Sequence, residues 1–164
     1  MVAYRSLACF FMRKTKAEAI VAALLICNLF VSKSYASSQN SLVLRSITSA
    51  TAKKEVVNFS DFDAISFFQE NCHHCESQLR ELACFKAKGL KTIAIGLGDV
   101  PLKLRQILNR NAASINGYAM DFALAGELGI KGTPVTFLRA MPTKELKRFD
   151  GLIRCKILEK PNYL

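Results

Sequence analysis

Apolar residues along the 164-residue chain fall into patterns of different period. Ala19 to Val31 is an almost continuous apolar run, broken at Asn28. Ser37 to Thr51 is rich in Ser, Thr, Asn and Gln, shows no period, and reads as a linker in which Leu42-Val43-Leu44 stays unassigned. Glu55 to Phe59 reads as a strand. Ala64 to Gln69, nearly all apolar or aromatic, reads as a strand buried on both faces. Cys75, Leu79, Leu82 and Ala83 then share one face of a helix predicted from Cys72 to about Lys88. Asn71 is its expected N-cap and Gly89 its stop. Lys91 to Leu97 predicts the next strand, and Pro101 to Asn111 a helix. Asp121 caps a short helix over Phe122 to Leu128, which ends at Gly129. Val135 to Leu138 and Leu146 to Ile153 predict two further strands, the second interrupted at Asp150-Gly151. About ten residues remain, with Pro161 near the end, enough for a short terminal helix only.

Strand, helix and strand over residues 64–97 make a βαβ unit, with parallel strands and a right-handed crossover. The class is α/β in one domain, expected over residues 55–164, with 37–54 a flexible linker. The N-terminal run belongs to neither. Met12-Arg13-Lys14-Thr15-Lys16 is a basic n-region, Ala19 to Val31 an apolar h-region, and Ser34-Tyr35-Ala36 offers small residues at −3 and −1 of a cleavage site. Residues 1–36 are therefore expected to be a secretory signal peptide, with Met12 an alternative start and an uncleaved membrane anchor the alternative fate. The h-region is short for a transmembrane helix.

Export implies an oxidising compartment. Of six cysteines, Cys72, Cys75, Cys84 and Cys155 lie after residue 36. The same part carries 18 basic and 12 acidic residues, a surplus of +6. No basic-aromatic motif turns this surplus into a nucleic-acid footprint, so it reads as a solvated surface.

The chemistry concentrates in Cys72-His73-His74-Cys75. Cysteines at i and i+3 of a helix have Cα atoms roughly 5 Å apart, which suits a disulfide. The ring is so small that little loop entropy holds it closed, so it is readily opened. Cys72, at the helix start, faces unpaired N–H groups and the positive end of the dipole. Both favour its thiolate and make it the nucleophile. His73 and His74 add positive charge beside it, and Cys75, one turn deeper, is the resolving thiol. No cofactor is required, because the disulfide itself carries the electrons. The competing reading is a metal-handling module with Cys72, Cys75 and His74 as ligands; four successive residues on one turn do not converge on a single tetrahedral ion.

The order strand, Cys-x-x-Cys helix, strand, helix, then Gly132-Thr133-Pro134 before a β-hairpin resembles the thioredoxin superfamily. The resemblance covers roughly Val56 to Ile153. It implies a thioredoxin-like fold: a central mixed β-sheet flanked by helices, with a cis-proline loop against the Cys-x-x-Cys helix start. It also implies that Pro134 is cis and that the Thr133 backbone binds the substrate cysteine strand. Within the superfamily the chain is most similar to exported bacterial thiol:disulfide oxidoreductases: Dsb oxidases and isomerases, TlpA-like reductases and TrbB-like proteins of conjugation systems. Phe122 to Pro134 resembles the isomerase pattern. His74 matches the second x of the oxidase-type Cys-Pro-His-Cys, while His73 stands where that motif has Pro. The implied activity is oxidation, isomerisation or reduction of cysteines in exported proteins, by a monomer served by a membrane or periplasmic redox partner. Whether Cys84 and Cys155 pair stays open. An oxidising compartment favours a bond. Yet Cys84 lies about 18 Å along its helix from the active-site end, and in the resembling fold the segment bearing Cys155 leaves its strand at that end. This distance favours two separate, packed thiols.

Overall fold

A computed structural model describes residues 41–49, 53–141 and 143–163. The expected signal peptide, residues 1–36, lies outside the described residues. Two long apolar runs form the centre of the fold. The strands β3 (Ala64–Gln69) and β4 (Thr92–Leu97) are parallel neighbours, with Phe67 beside Ile95. All of β4 and all but the last residue of β3 are buried. Alternate residues feed two cores, as a pleat with both faces covered requires. Ala64, Phe68 and Ala94 face helices α1 (Cys75–Ala87) and α2 (Pro101–Ala112), packing with Leu79, Leu82, Phe85, Leu104 and Leu108. Ile65, Phe67, Ile93 and Ile95 face the other way, toward α3 (Phe122–Glu127) with its buried Ala125.

The remaining strands are β1 (Ser41–Ser46), β2 (Lys54–Asn58), β5 (Asn116–Met120), β6 (Val135–Arg139) and β7 (Leu146–Asp150). The seven form one mixed sheet in the order β2-β1-β5-β4-β3-β6-β7. The strand β5 continues the parallel set beside β4, while β6 and β7 run antiparallel on the other side of β3.

Several expectations need correction. The expected linker contains a strand: β1 pairs antiparallel with both β2 and β5. Its alternation is real but short. Leu44 and Ser46 are buried, whereas Val43 pairs outward with Val56, at 62% and 72% exposure. The strand β5 has no counterpart among the predicted elements, because Asn116-Gly117 is a turn signal. Here Gly117 serves packing instead. A Cβ at that position would lie 2.3 Å from Leu108 Cδ2 and 2.9 Å from Ile47 Cγ1. The helix α1 starts at Cys75, not Cys72, and its N-cap residue is His74. Asn71 is left-handed (φ 62°) and caps nothing; it turns the chain out of β3,.

Cys84 and Cys155 are bonded, with Cα atoms 6.0 Å apart. The expected separation required Cys155 to stay near the end of β7. Gly151 (φ 88°) instead redirects the chain after β7. Successive turns of α1 then hold the segment. Gln78 Oε1 accepts the Ile153 N–H at 2.8 Å, Glu81 Oε2 accepts the Cys155 N–H at 2.7 Å, and Cys84 makes the covalent link. A 3₁₀ turn, Cys155–Glu159, follows, and Leu158 is buried in the α1 core.

Candidate active site

The site sits at the C-terminal end of β3. After Gln69 the chain turns through Asn71, and Cys72, His73 and His74 form a turn closed by the Cys75 N–H donating to the Cys72 carbonyl at 3.2 Å. The Cys72–Cys75 disulfide is closed, with Cα atoms 5.3 Å apart. The two sulfur-bearing residues are not equivalent. Cys75 is wholly buried against the α1 core, whereas Cys72 is half-buried and borders open space. Only Cys72 can meet an incoming sulfur without the helix moving. Its position just ahead of the first helical turn still leaves it near the positive end of α1.

His73 and His74 are both exposed, and their rings meet edge to face with centroids 4.8 Å apart. They flank the disulfide without burying it. A groove of about 750 Å³ opens beside Cys72 and His73, bounded by Glu70, Glu76, Lys103 and Arg110. Lys103 pairs with Glu70 at 2.8 Å and Arg110 with Glu76 at 3.5 Å. These exposed ion pairs connect α2 to the Cys-x-x-Cys turn, and each is worth only about 0–1 kcal/mol. They shape a charged wall more than they stabilise one.

The Thr133–Pro134 peptide is cis, as the resemblance implies. Register explains where it lies. Val135 pairs with Phe67, so Pro134 stands just beyond that pair, at the end of β3 that feeds the Cys-x-x-Cys turn. The Pro134 carbonyl accepts the Gly151 N–H at 2.8 Å, which ties the loop to the end of β7. The Thr133 hydroxyl oxygen is buried and has no hydrogen-bond partner among the described residues. Beneath α1, Ser66 and Thr136 share a buried hydroxyl–hydroxyl bond of 3.0 Å across β3 and β6.

The structure thus brings Cys72, Cys75, His73, His74, Thr133 and Pro134 to one end of the sheet. Sequence reasoning missed Gln78 and Glu81, whose side chains hold the C-terminal segment. Their spacing from Cys75 and Cys84 on one helix was the available signal. Among the described residues no three His, Cys, Asp or Glu side chains are disposed to hold a metal, and no helix is long and apolar enough to cross a membrane.

No family model and no curated protein matches the sequence. Solved structures do match. A secreted Mycobacterium tuberculosis disulfide oxidoreductase homologous to E. coli DsbE aligns with a TM-score of 0.59 at 6% identity, over 75% of this chain and 95% of that one. The fold is thioredoxin-like. StoA of Bacillus subtilis aligns to this thioredoxin-like unit with a TM-score of 0.53 at 13% identity, covering 75% of this chain and 96% of its own. A thio-disulfide isomerase of Thermus thermophilus aligns at 0.51 and 15% identity, covering 73% and 87%. At such identities the likeness is one of fold. The register of β6 against β3 sets the cis-proline loop at the same end of the sheet as the Cys-x-x-Cys turn.

Proposed function

We propose that the protein is a thiol:disulfide oxidoreductase acting on cysteines of exported proteins, with Cys72–Cys75 as its redox-active pair. The observation that carries this reading is the asymmetry of that pair: a reachable Cys72 and a buried Cys75 beside a cis-proline loop. A substrate thiolate attacks Cys72 Sγ, a mixed disulfide forms, and the electron pair of the broken bond remains on Cys75. A second substrate thiolate then attacks the mixed disulfide and displaces Cys72, leaving an oxidised substrate and a dithiol enzyme. Run backwards, the same steps reduce a substrate disulfide; release of a rearranged substrate from the mixed disulfide is isomerisation.

In this reading His73 and His74 favour the Cys72 thiolate as neighbouring dipoles or charges. The Thr133 backbone, held by the cis Pro134, lines up an extended substrate strand beside Cys72. Residues 1–36 direct the chain to the periplasm, where a membrane or soluble partner resets the couple. The disulfide oxidoreductase and thio-disulfide isomerase among the similar structures motivate the choice of substrate class, and the site itself supplies the chemistry.

Trapping tests it. Cys75→Ser, reduced and offered a protein disulfide, should accumulate a mixed disulfide through Cys72, visible as a reductant-sensitive adduct on a non-reducing gel. Cys72→Ser should form none. An adduct through Cys84 or Cys155, or none in either variant, contradicts the assignment.

A further inference from the structure

Gln78 is the one polar side chain of α1 that is fully buried, and the exchange steps above do not use it. Its orientation is dictated by its partner. The Ile153 N–H can only donate, so the amide oxygen Oε1 faces it at 2.8 Å,. The amide nitrogen Nε2 is therefore turned away, buried, and without a hydrogen-bond partner among the described residues. A buried donor in this condition destabilises the closed state and calls for a reason.

Position supplies one. Gln78 follows Cys75 by three residues, so the two share one buried face of the helix,. Helical side chains lean toward the N-terminus, which lays Gln78 over the turn that Cys75 opens. Its anchor lies at the same end. Ile153 is two residues past Gly151, whose N–H is bound by the Pro134 carbonyl.

We propose that Gln78 is the hydrogen-bond donor for the Cys75 sulfur in the open states of the couple, a deepening that rests on the exchange reading. While the disulfide is closed, Cys75 Sγ is a neutral, weakly accepting atom and Nε2–H lacks a strong partner. When a substrate thiolate attacks Cys72 Sγ, the bond between the substrate sulfur and Cys72 forms and the Cys72–Cys75 bond breaks. Cys75 leaves as a thiolate holding the electron pair, and no proton is consumed. That charge appears on a fully buried sulfur one helical turn from Gln78, and the unpartnered Nε2–H turns toward it. The same donor stabilises the dithiol, so it shifts the couple toward the oxidising side. The Ile153 N–H holds the acceptor half of the amide and so leaves the Nε2 donor half free for the sulfur.

The test compares Gln78→Met with wild type in glutathione buffers, reading only the Cys72 and Cys75 peptides after alkylation. The variant should favour the disulfide about tenfold more strongly, a shift of about 30 mV to more negative potential. Opening by glutathione should slow by a similar factor. A merely structural Gln78 would instead lower the stability of both redox forms alike and leave the glutathione equilibrium within twofold of wild type. Should the variant fail to fold, the wild-type protein answers by NMR. The Gln78 side-chain amide protons should move downfield and exchange more slowly once Cys72–Cys75 is reduced. Unchanged resonances in the two redox states overturn the proposal. If the wild-type pair does not react with glutathione at all, the exchange reading itself has failed.

Discussion

Replacing Cys84 and Cys155 together by alanine isolates the second disulfide from the first. The bond joins residues 71 apart in sequence. Cross-linking a loop of that length removes about 15 cal/mol/K of chain entropy from the unfolded state, or about 4 kcal/mol at 25 °C. Native contacts soften this little, because Cys155 is 7% exposed and alanine fits without a buried polar atom. For a unit spanning Asn40–Leu164, a loss of that size lowers Tm by roughly 15 °C. Equilibrium urea unfolding of oxidised wild type and the double variant, with Cys72–Cys75 intact in both, measures it directly. Hydrogen exchange adds a local readout: the Ile153 and Cys155 amides, which Gln78 and Glu81 accept, should lose protection first. A loss below about 1 kcal/mol would show that the segment after β7 merely frays without the bond, and that it is no part of the cooperative unit.

Other outcomes follow from single contacts. Gly117→Ala should cost about 1–3 kcal/mol in urea unfolding, because its Cβ would meet Leu108 and Ile47,; an unchanged midpoint would mean that β5 is not packed as described. His74→Ala should raise the Cys72 thiol pKa and make the couple more reducing, at about 1.4 kcal/mol per pKa unit. Thiolate absorbance of the reduced protein reads this, and an unchanged titration removes His74 from the chemistry. Burial first, and then the Glu55 carboxylate that accepts its hydroxyl at 3.3 Å, raise the Tyr118 pKa above its ordinary 10.0. A raised folded pKa means that this contribution is complete below about pH 10 and is lost as pH climbs through the folded value. Tyr118→Phe should therefore flatten the alkaline end of the stability profile; an equally steep fall in both proteins would exclude Tyr118 as its source.

What was legible in the sequence had a strong local cause. The β3–α1–β4 unit stands on long apolar runs, and the Cys-x-x-Cys stands out by residue type and spacing, whereas Gly132-Thr133-Pro134 joins the candidate site only through the resemblance. The cis state of Pro134 was readable only through resemblance, since nothing local distinguishes it from a trans proline. Elsewhere the cause was tertiary. The strand β5 exists because β1 and β4 accept Asn116–Met120 between them, and Gly117 is selected by two side chains from distant segments. From the sequence these residues stay unassigned. The helix start slipped by three residues because Asn71 adopts a left-handed conformation that its sequence permits but does not require,. The second disulfide depended on the path after Gly151, set by acceptors on α1 that a helix wheel displays but cannot connect to Ile153 and Cys155.

The reduction potential of the Cys72–Cys75 pair decides whether this disulfide is a working redox couple. Alkylation and peptide mapping across a series of glutathione buffers would follow each disulfide separately. A two-electron couple is expected for Cys72–Cys75 between about −270 and −120 mV, the range of exchange catalysts, while Cys84–Cys155 stays oxidised throughout. A Cys72–Cys75 potential below about −300 mV, that of a structural disulfide, would contradict the assignment of this pair to exchange.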